Sequence, residues 1–122
     1  MNIPFATAGA IGTVAFVVHT FAGGRYAVVP LIDDERVPAA TRGLNYLCWH
    51  AATAALFIMA ATAFGSAFGP VSHDAVWAMG LIAAAISGVS VMAARRVGIS
   101  PWRFPATYLL GAMALSIATD LL

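Results

Sequence analysis

Two histidines lie inside long apolar runs. His19 sits in VAFVVHTFAGG and His50 in NYLCWHAATAALF. An ionisable side chain at membrane depth is costly, so it faces a partner, a cavity or a ligand. An imidazole there has four chemistries open to it. It can be an axial ligand of haem b. It can bind a transition metal such as copper or zinc. It can take up and release protons near neutrality in a small oligomeric transporter or channel. Or it can simply hydrogen-bond across helices in a non-catalytic membrane subunit.

Depth is what pairs the two. His19 precedes Arg25 by six residues, and His50 follows Arg42 by eight. At about 1.5 Å per residue they lie about 9 and 12 Å below those arginines. Two antiparallel helices joined by one connection would bring them to one level, which predicts a bis-histidine site between the first two spans. Arg25 or Arg42 could then meet haem propionates. Thr53, one turn from His50, could hold its imidazole in one tautomer, a support that ligand histidines commonly need.

Other candidates are weaker. Cys48 is two residues from His50 and points elsewhere on a helix. As the single cysteine it excludes an intrachain disulfide and a CxxC motif. His73, in SHDAV, is expected in a solvated loop, and Asp120 at the outer interface. Asp33, Asp34 and Glu35 beside Arg36 read as a solvated turn without calcium-loop spacing. Met59, Met79, Met92 and Met113 are scattered as ordinary apolar packing would scatter them. No GxSxG, phosphate-binding loop or HExxH is present, so no soluble-enzyme signature stands.

The elements that must position the histidines are long apolar helices. The chain of 122 residues is 61% hydrophobic and 9% charged, with mean hydropathy +0.89. About 20 apolar residues cross the hydrocarbon core. Spans are predicted at about 4–24 with continuation toward Ile32, at 43–68, at 75–94 and at 104–122. They form one all-α, polytopic, four-transmembrane-helix bundle in a single domain, 1–122. Gly69-Pro70 ends the second span, Asp74 is expected to cap the third, and Gly98 and Pro101 separate the third from the fourth. MNIPFATAG lacks the basic region of a signal peptide, so the first span reads as a retained anchor.

All six arginines fall at the first and third connections, and there is no lysine. The positive-inside rule puts those connections in the cytoplasm and both termini outside, in a bacterial inner membrane. A net charge of +1 offers no nucleic-acid footprint. Gly80, Ala84 and Gly88 make a small-residue face that could pack within the bundle or join a homo-oligomer. Tyr26, Tyr46, Trp49, Trp102, Tyr108 and Trp77 read as interface anchors.

The strings His19-Thr20-Phe21-Ala22-Gly23-Gly24-Arg25, Val29-Pro30-Leu31-Ile32 and Cys48-Trp49-His50-Ala51-Ala52-Thr53 resemble those of small uncharacterised bacterial four-span membrane proteins. The histidine followed by a glycine pair is also faintly similar to membrane proteins of copper resistance. Neither resemblance brings an activity or a catalytic residue.

Overall fold

Apolar residues with few breakers give long helices. The computed structural model describes residues 1–121, and of Leu121 only the backbone. Helix α1 spans Ile3–Asp33, α2 Ala39–Phe68 and α3 His73–Arg96. Helix α4 spans Pro105–Ala118 and is flanked by 3-10 turns at Pro101–Arg103 and Thr119–Leu121. No strand occurs among the described residues.

The first three helices are long and apolar enough to cross a bilayer. Helix α4 has 14 residues, about 21 Å, against a hydrocarbon core of about 30 Å. The Thr119–Leu121 turn continues it directly, while extended Phe104 separates it from the Pro101–Arg103 turn. Residue 122, where the fourth span was expected to end, lies outside the described residues.

Local chemistry sets the boundaries. Asn2 caps α1, its Oδ1 accepting from the Phe5 N–H at 3.0 Å. The helix does continue past Gly24, but as a π-helix over Val18–Val28 before α-geometry resumes at Val29–Asp33. The cause lies in Gly23-Gly24, which stiffens the helix least, and in Pro30, which has no N–H to give an α-helical bond. The wider i→i+5 register absorbs both, and the Val29 N–H bonds the Gly24 carbonyl.

The cap of α3 is Ser72, not Asp74. Its Oγ accepts from the Ala75 N–H at 3.3 Å. The helix begins two residues earlier than expected, so Asp74 falls in the first turn, where its charge favours the helix dipole without capping. The other end of α3 closes on Gly98 at φ 71°. The Gly98 N–H bonds the Arg95 carbonyl and the Ile99 N–H the Ala94 carbonyl. That pair of bonds is a Schellman turn, which needs a left-handed residue and so favours glycine.

Helix α1 is central. It packs along α2 on one side and α4 on the other, α3 packs along α4, and α2 and α3 share only a sparse interface. The core of Phe5, Ala8, Met59, Ala63, Val76, Met113 and Ile117 lies toward the end that carries both termini. Small residues let the backbones close there. A Cβ on Gly12 would meet the Ala60 backbone at 3.2 Å, and one on Gly80 would meet Ile117 at 3.2 Å.

Hydroxyls and amides tie the same region. Ser116 Oγ donates to the Pro4 carbonyl at 2.9 Å. Asn2 Nδ2 donates to Asp120 Oδ1 at 2.6 Å, and the Asn2 N–H to the Ala67 carbonyl at 3.1 Å. His73 is exposed, as expected, but it opens α3 instead of lying in a loop. Its ring meets the Phe5 ring edge-on at 4.8 Å, and its Nδ1 lies 3.8 Å from Asp120 Oδ2. At the arginine-rich end the packing is looser: no residue of the π segment is buried.

Candidate functional site

His19 stands on the π segment and faces α2. Its ring stacks on Trp49 with centroids 3.8 Å apart and planes 14° apart. Its Nε2 lies 3.3 Å from the Trp49 carbonyl oxygen, in hydrogen-bond range. Gly23 makes the stack possible, because a Cβ there would collide with the far edge of the Trp49 indole. The indole thus lies flat along α1, over one turn that offers an imidazole above and a bare backbone below.

His50 goes elsewhere. It is exposed and meets Tyr46 edge-on at 4.3 Å between centroids. Consecutive helix residues point about 100° apart, so when Trp49 faces α1, His50 turns away from it. The two imidazoles make no contact or hydrogen bond with each other among the described residues. Nor do three or more His, Cys, Asp or Glu side chains converge there as a metal-ligating group. Thr53 turns its hydroxyl to the Trp49 carbonyl at 3.1 Å, not to His50. That carbonyl therefore receives two side-chain groups, Thr53 from its own helix and His19 from α1.

Beside this stack is a cavity of about 420 Å³ between α1, α2 and the start of α4. Small-molecule sites commonly fall in the range of about 300–1,000 Å³. Val18, His19, Ala22, Gly23, Tyr26 and Ala27 of the π segment line it. Trp49 and Leu56 close it from α2, and Arg103, Phe104, Leu109 and Leu110 from the α4 side. A π segment widens the helix and often accompanies a binding site; here it supplies one wall.

The wall is polarised. Ala15, Leu56 and Leu110 form an apolar floor, His19 and Trp49 lie midway, and Tyr26 and Arg103 mark the arginine-rich end. Arg103 is the only charged residue in the lining. Among the described residues no carboxylate lies within ion-pair range of it: the ion pairs found are Arg36–Asp34 and His73–Asp120.

The expected propionate partners are placed differently. Arg42 Nη1 donates to the Ile32 carbonyl at 3.0 Å and so closes the end of α1. Arg25 is exposed and does not line the cavity. Arg103, Trp49 and the α4 wall were not among the sequence-based candidates. Arg103 sits between Trp102 and Phe104 and two residues before Pro105, a pattern that reads as a connection.

The small-residue face also divides. Gly80 is spent inside the bundle on Ile117, while Gly88 has open space around it. No family model, curated protein or solved structure matches the chain.

Proposed function

We propose that this chain is a bacterial inner-membrane protein that binds a small, largely apolar molecule in the cavity between α1, α2 and α4. One observation carries this reading: a polarised cavity walled by a π segment at the arginine-rich end, where the packing is looser. The arginine distribution supports the orientation, with the connections at 34–38 and 97–104 in the cytoplasm and both termini outside. An alkaline phosphatase fused after Ala118 is then active, and one fused in the 97–104 connection is inactive.

The histidine chemistry narrows with the geometry. Within one chain the cavity receives one imidazole, so a bis-histidine haem or metal site would need a second donor from outside the chain. Haem b held by His19 is one member of the ligand class, and a Soret band in protein from haem-replete cells identifies it. Proton-coupled transport would work through the same His19.

Native mass spectrometry of the detergent-purified protein tests the reading. The expected result is a discrete non-protein mass on the wild type, absent from Ala22→Phe, which fills the cavity from an exposed position. An unliganded mass in both, with added apolar ligands failing to shift thermal stability, overturns it.

A second reading has its own observation. The His19 contact with the Trp49 carbonyl is an interhelical polar bond of the kind that joins helices in lipid. It supports a structural role for His19 that would persist without any ligand.

A further inference from the structure

We propose that the molecule bound in this cavity is a long-chain carboxylate, with its acid on Arg103 and its chain running past His19 and Trp49 to the apolar floor. The proposal rests on the binding function argued above and specifies its ligand.

The first support is charge. The lining holds a single cation and no anion, and that cation has no carboxylate partner among the described residues. Arginine binds a carboxylate through two parallel N–H···O bonds, a geometry lysine cannot copy. Arg103 is exposed at the mouth of the cavity, so its guanidinium is open to a carboxylate that arrives there.

The second support is depth. Ser87 Oγ donates to the Thr107 carbonyl at 2.6 Å, which fixes the register of α3 against α4. Arg96 lies nine residues beyond Ser87 on α3, or roughly 13 Å along the axis. Pro105 lies only two residues before Thr107 on α4, or about 3 Å. Helix α4 therefore starts about 10 Å deeper than α3 ends, and the connection folds back down to it. Arg103, exposed on that connection two residues before Pro105, lies beneath the level of Arg95 and Arg96. Phospholipid head groups would meet that outer pair. A head that reaches Arg103 must be slender and must descend with its own chain, which suits a free carboxylate better than a two-chain glycerophospholipid.

The third support is shape. From Pro105 to Leu110 the lining descends five residues of α4, about 8 Å, with the only charge, Arg103, just above and aliphatic side chains at the bottom. The exposed Ala22 and Ala27 on the π segment leave a lateral way in from the bilayer.

Trp49 makes the test direct, because a brominated chain in the cavity quenches it. The full-length protein carries Trp77→Phe and Trp102→Phe, so that Trp49 is the one indole left, and is reconstituted in phosphatidylcholine vesicles. 9,10-Dibromostearic acid at pH 8 is compared with its neutral methyl ester and with brominated phosphatidylglycerol. The expected result is saturable quenching by the acid and only partition-type quenching by the ester. Arg103→Gln should weaken the acid about tenfold or more, Arg103→Lys less, and Ala22→Phe should abolish saturable binding.

Equal saturable quenching by acid and ester, unchanged in Arg103→Gln, overturns the carboxylate and leaves the cavity function standing. Saturable quenching by brominated phosphatidylglycerol that the acid cannot displace overturns it in favour of a leaflet lipid. Quenching by all three probes that never saturates, or that Ala22→Phe leaves untouched, overturns the cavity function and the ligand together.

Discussion

The contact between His19 and Trp49 can be divided by experiment because its two components use different atoms. The ring stack needs the indole. The hydrogen bond needs only the backbone carbonyl of Trp49. His19→Phe keeps a stacked ring and removes the hydrogen bond. Interhelical hydrogen bonds in lipid average about 0.6 kcal/mol, up to about 1.7. The value here belongs at the low end, because Thr53 still donates to the same carbonyl and leaves no orphaned acceptor. Trp49→Ala keeps the carbonyl and removes the stack, for which aromatic pairs give about 0.5–1.5 kcal/mol beyond burial. His19→Ala loses both and should cost about 1–2 kcal/mol. The assay is reversible unfolding in mixed detergent and dodecyl sulfate, run as a double-mutant cycle. The coupling between His19→Ala and Trp49→Ala should equal the stacking part, about 0.5–1.5 kcal/mol. A coupling below ~0.3 kcal/mol, the usual limit of additivity, refutes the stack as an energetic contact.

Three further outcomes follow from the packing. Gly23→Leu should displace the indole and shift Trp49 fluorescence in the single-tryptophan background; an unchanged spectrum would mean the ring does not lie on that turn. Gly80→Ile should separate α3 from α4 and lower the unfolding midpoint, whereas Gly88→Ile meets open space and should leave the monomer's stability within about 0.5 kcal/mol. A change in oligomeric state in Gly88→Ile alone, by cross-linking in vesicles, would assign the Ala84/Gly88 face to a second copy. At the α1–α2 turn, the Arg36 side chain and N–H hold the Asp34 carboxyl below its ordinary value of 3.8. A depressed carboxylate contributes above its unfolded pKa and loses that contribution as pH falls through the folded value. The turn should therefore loosen below about pH 3.8 in the wild type and show no such step in Asp34→Asn, as amide exchange at Val37 would report.

Hydropathy locates the helices because length and apolarity are what a span consists of, but it reports lipid contact and not helix. Ala39–Arg42 are helical without being strongly apolar, so α2 starts four residues before the span that hydropathy marks. The same gap hides the π segment. Gly23-Gly24 and Pro30 are visible in the sequence, yet the switch from i→i+4 to i→i+5 bonding leaves no mark in composition. Depth is legible from residue counts, and His19 does lie level with the His50 region. Rotation is not. Whether position 49 or 50 faces α1 depends on how the indole fits over Gly23, and one residue of helix turns the site by about 100°. His73 and Asp120 escape for another reason: 47 positions apart in sequence, they meet only when the start of α3 and the end of α4 pack beside Asn2.

The distribution of polar bonds sets α2 apart from the other three helices. Helix α4 is tied to α3 by Ser87 and by the Ser90–Thr107 hydroxyl pair at 2.9 Å. Ser116 and Asn2 tie it to α1 and to the start of the chain. Those bonds lie along both sides of α4 and fix α1, α4 and α3 as one slab. Helix α2 is held differently. The Asn2 N–H holds it at one end, Arg42 at the other, and His19 alone in between. Its interface with α3 is sparse, and its main packing partner is α1. Among the described residues His19 is thus the one polar tie between α1 and α2 in mid-helix, and the buried Leu56, Met59, Ala60 and Ala63 hold the rest of α2 against its neighbours by apolar packing. Loss of that tie would leave no orphaned acceptor, because Thr53 still donates to the Trp49 carbonyl.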